Sequence, residues 1–160
     1  MATSEAMMKK GSLASTADRR SVLGRLGELR PDSPRQWGKM NAHQAVCHLS
    51  DSFRGVMGDI ALSGKPMWVG RVVKWVALYS PLTWTRSTPT MPEVDQMKLG
   101  TKPVEFRADV GELERLVERF TTFPRDFVWK PHPFFGEMSE QDWMRWGWLH
   151  MDHHLRQFGI

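Results

Sequence analysis

Apolar residues recur at helical spacing in five stretches of this 160-residue chain, and most of these stretches are bounded by a proline or a capping residue. The pattern leaves little freedom, because an amphipathic helix must bury its apolar stripe against another element, and strand-like alternation is sparse and short here. In "TADRRSVLGRLGELRP", Val22, Leu23, Leu26 and Leu29 share a face and Pro31 stops the helix. Asn41 is a good N-cap for a second helix, which carries Val46, Leu49, Phe53, Val56 and Ile60 on its stripe. "PMWVGRVVKWVALYSP" aligns Trp68, Val72, Val76 and Tyr79 and ends before Pro81. A fourth helix opens at Asp109, with Glu112 three residues on, and carries Leu113, Leu116, Val117 and Phe120. Ser139 caps the last one, with Asp142 at its third position. The expected architecture is all-α: a bundle of four main helices plus an additional one. The long connection from Pro81 to Ala108, with Pro81, Pro89, Pro92 and Pro103, contains no convincing helix and reads either as a lid or binding segment or as a passive crossover.

Hydrophobic residues make up 41% and charged residues 25% of the chain, which fits one globular domain over residues 1–160 with residues 1–15 as a flexible extension. No apolar run approaches the roughly 18 residues of a membrane span, and the first residues lack the hydrophobic centre of a signal peptide, so a cytoplasmic location is expected. The single cysteine, Cys47, excludes an internal disulfide and suits a reducing compartment. Lys and Arg number 22 against 18 Asp and Glu, but no dense basic run or DNA-binding motif appears, so nucleic acid is not an expected partner. The third stretch, with Trp68, Arg71, Lys74 and Trp75, could lie on a membrane surface. Burial in the bundle or in a dimer interface is the more economical expectation.

The final stretch, "DWMRWGWLHMDHHLRQFGI", sets three histidines within five residues. At about 100° per residue, His150 and His154 fall about 40° apart, among Trp143, Trp146, Gly147 and Phe158, and point inward. Asp142, Arg145, Asp152 and Arg156 define the opposite, solvent side. His153 sits at the edge of the buried arc and is the weaker ligand candidate. Two inward imidazoles one turn apart suit a shared metal, but zinc, nickel or iron needs at least a third protein ligand from a facing helix. "HQAVCHLSDS" offers His48, flanked by the small Ala45, Ser52 and Gly55. His43 points about 140° away and is expected to cap its helix or meet solvent. Gln44 and Asp51 lie nearer His48 as supporting partners, although a solvated aspartate or local cap is the plainer role for Asp51. Cys47 reads as a small packed residue. His132, Phe134 and Phe135 either wall a pocket mouth or build a rigid turn, and Trp143 and Trp146 read first as core. On spacing alone, three core histidines satisfied by hydrogen bonds are as good a reading as a metal site.

"WGKMNAHQAVCHLSDSF" and "HPFFGEMSEQDWMRWGWLHMDHHLRQFGI" resemble the two signature regions of the DinB-like (YfiT-like) superfamily, and within it a branch ending in HxDHHxRQFG. The resemblance runs from about Arg20 onward and is weakest in the Pro-rich middle. It implies a four-helix bundle and a metal triad that falls, residue by residue, on His48, His150 and His154. It further implies a homodimer, and relatives that use low-molecular-weight thiols. No thiol-binding motif is legible in this chain, so that activity rests on analogy at the level of fold and metal site. The leading expectation is a divalent-metal enzyme acting on a small molecule, with thiol-transfer or hydrolytic chemistry at an open coordination position. The alternative is a non-catalytic ligand-binding or interaction bundle whose metal is structural.

Overall fold

The structure, a computed structural model, describes residues 10–86 and 88–160. Five α-helices run in the order α1 Thr16–Glu28, α2 Ala42–Met57, α3 Gly70–Tyr79, α4 Phe106–Thr121 and α5 Glu140–Gln157, with a short 3-10 turn at Pro92–Val94 before α4. Among the described residues there is no strand, only an isolated bridge between His132 and Gly136. None of these helices is long and apolar enough to cross a membrane.

Local chemistry fixes most boundaries. Asn41 caps α2 through a reciprocal pair: its side chain accepts from the Gln44 amide at 2.8 Å, and the Gln44 side chain accepts from the Asn41 amide at 2.9 Å. Ser139 and Asp142 do the same for α5, at 3.1 and 3.0 Å. The second helix stops short of Ile60 because Gly58 takes a left-handed conformation, φ 89°, and closes the helix with its own N–H. The fourth starts a turn earlier than Asp109: Glu105 is the cap, its carboxylate accepting from the Arg107 and Ala108 amides at 3.0 and 2.6 Å. Asp109 is committed elsewhere, to His43 and the Val104 amide.

One core joins α1, α2, α4 and α5, with Leu78 of α3 at its edge. Phe53, Phe120 and Trp146 meet edge-on or tilted at its centre, with ring centroids 4.9 to 6.2 Å apart. Gly147 is where α5 lets its neighbours in, since a Cβ there would lie 2.6 Å from Leu13 Cδ1. Leu13 falls within the expected extension over residues 1–15. It is fully buried and donates its amide to the Met144 carbonyl at 2.9 Å. Residues 1–9, the rest of that expected extension, lie outside the described residues.

The supposed solvent face of α5 is also covered. Asp152 is buried in a fork between Arg25 at 2.7 Å and Arg156 at 2.8 Å, and Asp142 receives Lys74 at 2.9 Å and Tyr79 at 2.5 Å. The physical reason is that α5 packs against α1, α2 and α3, so a helical wheel that separates apolar from charged positions does not separate inside from outside. On α3 the apolar positions are only partly covered by the bundle. Trp68 in the turn before it is 96% exposed, Val72 66% and Trp75 60%, whereas Tyr79 at the end of the expected stripe packs against the core, so the stripe turns from solvent to core along its length.

Candidate metal centre

His48 on α2 and His150 and His154 on α5 converge, although about a hundred residues separate the first from the pair. His48 Nε2 lies 3.2 Å from His150 Nε2, and one nitrogen from each of the three rings lies within 4.8 Å of the others. Four-coordinate bonds of about 2.0–2.1 Å to a common ion would set neighbouring nitrogens about 3.3 Å apart, so the His48–His150 spacing suits shared ligation.

Two hydrogen bonds decide which nitrogens carry protons. His48 Nδ1 lies 2.7 Å from the Val94 carbonyl, which can only accept, so Nδ1 is the protonated nitrogen and Nε2 keeps its lone pair. Gln157 donates its Nε2 to the Trp37 carbonyl at 2.9 Å, which turns Oε1 toward His154 Nδ1 at 3.0 Å. His154 Nδ1 therefore donates, and its Nε2 also keeps a lone pair. His150 Nδ1 is buried without a partner. If His150 Nε2 carries the proton and donates to His48, Nδ1 is left as an orphaned acceptor. If it does not, two lone pairs face each other at 3.2 Å. A cation between the rings removes the second conflict, so this donor set fits a metal.

Burial holds all three imidazoles neutral, which is the ligating form. It lowers the pKa of His48 against the opposing pull of its bond to Val94, and it takes His150 and His154 well below the ordinary histidine value, helped by the neighbouring rings. Trp146 and Trp84 flank His150 with ring centroids at 5.1 and 5.7 Å. A groove of about 620 Å³ between α1 and α4 is lined by Arg19, Leu23, Glu114 and Arg115 and touches none of these histidines.

A family model matches residues 7–159. The chain belongs to that family, described as protein of unknown function (DUF1569). No curated protein and no solved structure matches it.

In this DUF1569 chain the remaining candidate residues take other roles. Asp51 is not solvated. It is buried and accepts from Gln96 at 3.0 Å, the Thr101 amide at 2.8 Å, the Thr101 hydroxyl at 2.7 Å and Arg54 at 3.1 Å. These bonds tie the loop around Gln96 and Thr101 to α2, and that loop follows the turn whose Val94 carbonyl holds His48. Gln44 serves the α2 cap and does not reach His48. His43, Cys47 and Asp109 form a second cluster, but His43 Nε2 is only 2.6 Å from Asp109 Oδ2. That is a direct hydrogen bond, too short for two ligands of one ion. Burial and the adjacent Asp109 push the Cys47 thiol up to about 12, so it is inert at neutral pH. His132 builds a turn: its Nδ1 accepts from the Phe134 and Phe135 amides, both at 3.2 Å, and its ring stacks on Phe135.

Sequence reasoning missed Val94, Trp84 and Gln157. Only Gln157 left a signal, three residues beyond His154 and so on the same helical face. His153 stays outside the triad, between Trp37 and Trp84 with ring centroids at 6.0 Å from each. Its replacement by alanine is expected to weaken zinc binding less than about tenfold, below the 10- to 100-fold typical even of an outer-shell partner. Calorimetric titration of the chelator-treated protein measures this, and a loss as large as that of His150→Ala would refute the assignment.

Proposed function

We propose that this chain is a three-histidine metalloprotein of the DinB-like kind, with α1, α2, α4 and α5 as its four-helix bundle, and that it acts enzymatically on a small molecule. The single observation that carries the reading is the direction of the ring protons: Val94 and Gln157 hold the Nδ1 protons of His48 and His154, leaving both Nε2 lone pairs free beside His150. The resemblance of the two signature segments to DinB-like proteins supports the bundle and the triad, while the family match itself stops at DUF1569. Three imidazoles suit zinc, nickel or iron and leave at least one position for an exogenous group. When bound, such an ion supplies Lewis-acid activation of a thiol or a water at neutral pH.

The chain's own residues supply orientation and exclusion of bulk water. Val94 and Gln157 keep the ligand rings in one tautomer. Asp51 fixes the loop beyond Val94. Trp84 and Trp146 make the surroundings of His150 apolar, which suits a low-molecular-weight thiol or an apolar electrophile. The same enclosure favours the second reading, a closed structural metal in a non-catalytic bundle. The two separate in a cobalt-substituted sample. The enzymatic reading expects its visible spectrum to change with added small thiol and with pH, the response disappearing in acid as the imidazoles protonate. A spectrum indifferent to both titrations would establish the structural role and remove the catalytic one.

A further inference from the structure

Residues 60–92 contain Lys65, Arg71, Lys74 and Arg86 but no Asp or Glu, so this stretch by itself carries a formal charge of +4 with no acid of its own to offset it. The same stretch carries an exposed apolar face. Trp68 in the turn before α3, and Val72 and Trp75 three residues apart on the helix, are more than half exposed. Lys65 and Arg71 are exposed near them.

The other side of α3 is held firmly. Leu78 is fully buried, and Lys74 and Tyr79 both reach Asp142 at the start of α5. Gly70 sits so close to the chain that a Cβ would lie 2.9 Å from the Phe134 carbonyl. A fixed helix and its leading turn that present Trp68, Trp75, Lys65 and Arg71 outward, with no acid in their own segment, have the composition of an interfacial helix: indole rings settle at the headgroup level, and cations meet anionic lipid.

We propose that the α3 face docks this protein reversibly onto an anionic lipid surface. A second copy of the chain is the poorer occupant, because a two-fold contact through this face would set the Lys65 and Arg71 side chains of both copies together with no acid from the segment between them. The surface is independent of the histidine site and stands whether or not that site binds metal.

Vesicles of phosphatidylcholine with about 30% phosphatidylserine supply the anionic surface, and pure phosphatidylcholine the control. The full chain is expected to co-sediment with the first and not the second, and to be released by about 0.5 M salt. Lys65→Gln with Arg71→Gln should weaken the association about 25-fold, at roughly fivefold per cation. Trp68→Ser with Trp75→Ser should reduce it to the phosphatidylcholine level, while helical circular dichroism stays unchanged because both side chains are exposed. Equal association with both vesicle types would overturn the proposal. So would a parent chain that ignores vesicles and sediments as a dimer which the tryptophan substitutions dissociate, since a second copy would then own the face.

Discussion

His48→Ala, His150→Ala and His154→Ala are each expected to bind zinc or cobalt more weakly than the parent chain by more than a hundredfold, with helical content retained. Outer-shell partners of a metal histidine typically contribute 10- to 100-fold to affinity, so loss of a ligand should exceed that range. Each substitution opens a cavity in a buried site, so helical circular dichroism is recorded beside the metal measurement. Gln157→Ala tests the tautomer argument separately: it deletes the acceptor of the His154 Nδ1 proton and leaves all three ligands, and a 10- to 100-fold loss is the expected result. Metal analysis after dialysis, with calorimetric titration for affinity, reads all four variants. Full metal stoichiometry in His150→Ala would mean that the ion, if bound, is not held by this triad.

Much of this site was legible because helix periodicity is a strong, local signal. The 40° separation of His150 and His154 needs only the helix repeat, and the capping residues Asn41 and Ser139 need only their immediate neighbours. Pairing His48 with them needed a facing helix, which periodicity suggests and the resemblance to DinB-like signatures reinforced. What could not be read depends on contacts made at long range. Val94 reaches His48 from a Pro-rich connection with no periodicity, so nothing in its neighbours marks it. Asp51 looked like a surface residue because its partners Gln96 and Thr101 come from that same connection. Trp68, Val72 and Trp75 are exposed for a related reason: an amphipathic pattern tells which residues share a face, not whether anything covers it. For α5, covered on three sides, the pattern marked as outer a face that is buried; for α3, anchored on one side, it marked a stripe that the bundle covers only in part.

His132 is expected to make the metal-free protein sensitive to acid, with an effect of several kcal/mol. Burial drives its pKa down from the ordinary histidine value to about 3, and the neutral ring is needed because Nδ1 accepts from two backbone amides. Between that value and about 6.5 the unfolded chain binds a proton that the folded chain refuses, so stability rises with pH across this window. The contribution is fully present above pH of about 6.5 and is lost as pH falls toward 3, at up to about 1.4 kcal/mol per unit, or about 2 kcal/mol by pH of about 5. His48, His150 and His154 are shifted in the same direction and steepen the decline, so the measurement must isolate His132 by difference. His132→Asn does so, because its side-chain oxygen can accept from the same amides without titrating. Urea denaturation of chelator-treated parent and variant from pH of about 7 to 5 should show the variant less stable at neutral pH and the gap closing by about 2 kcal/mol. Parallel stability profiles over that range would show that the folded chain accommodates the charged ring, and the acid sensitivity would then belong to the metal triad alone.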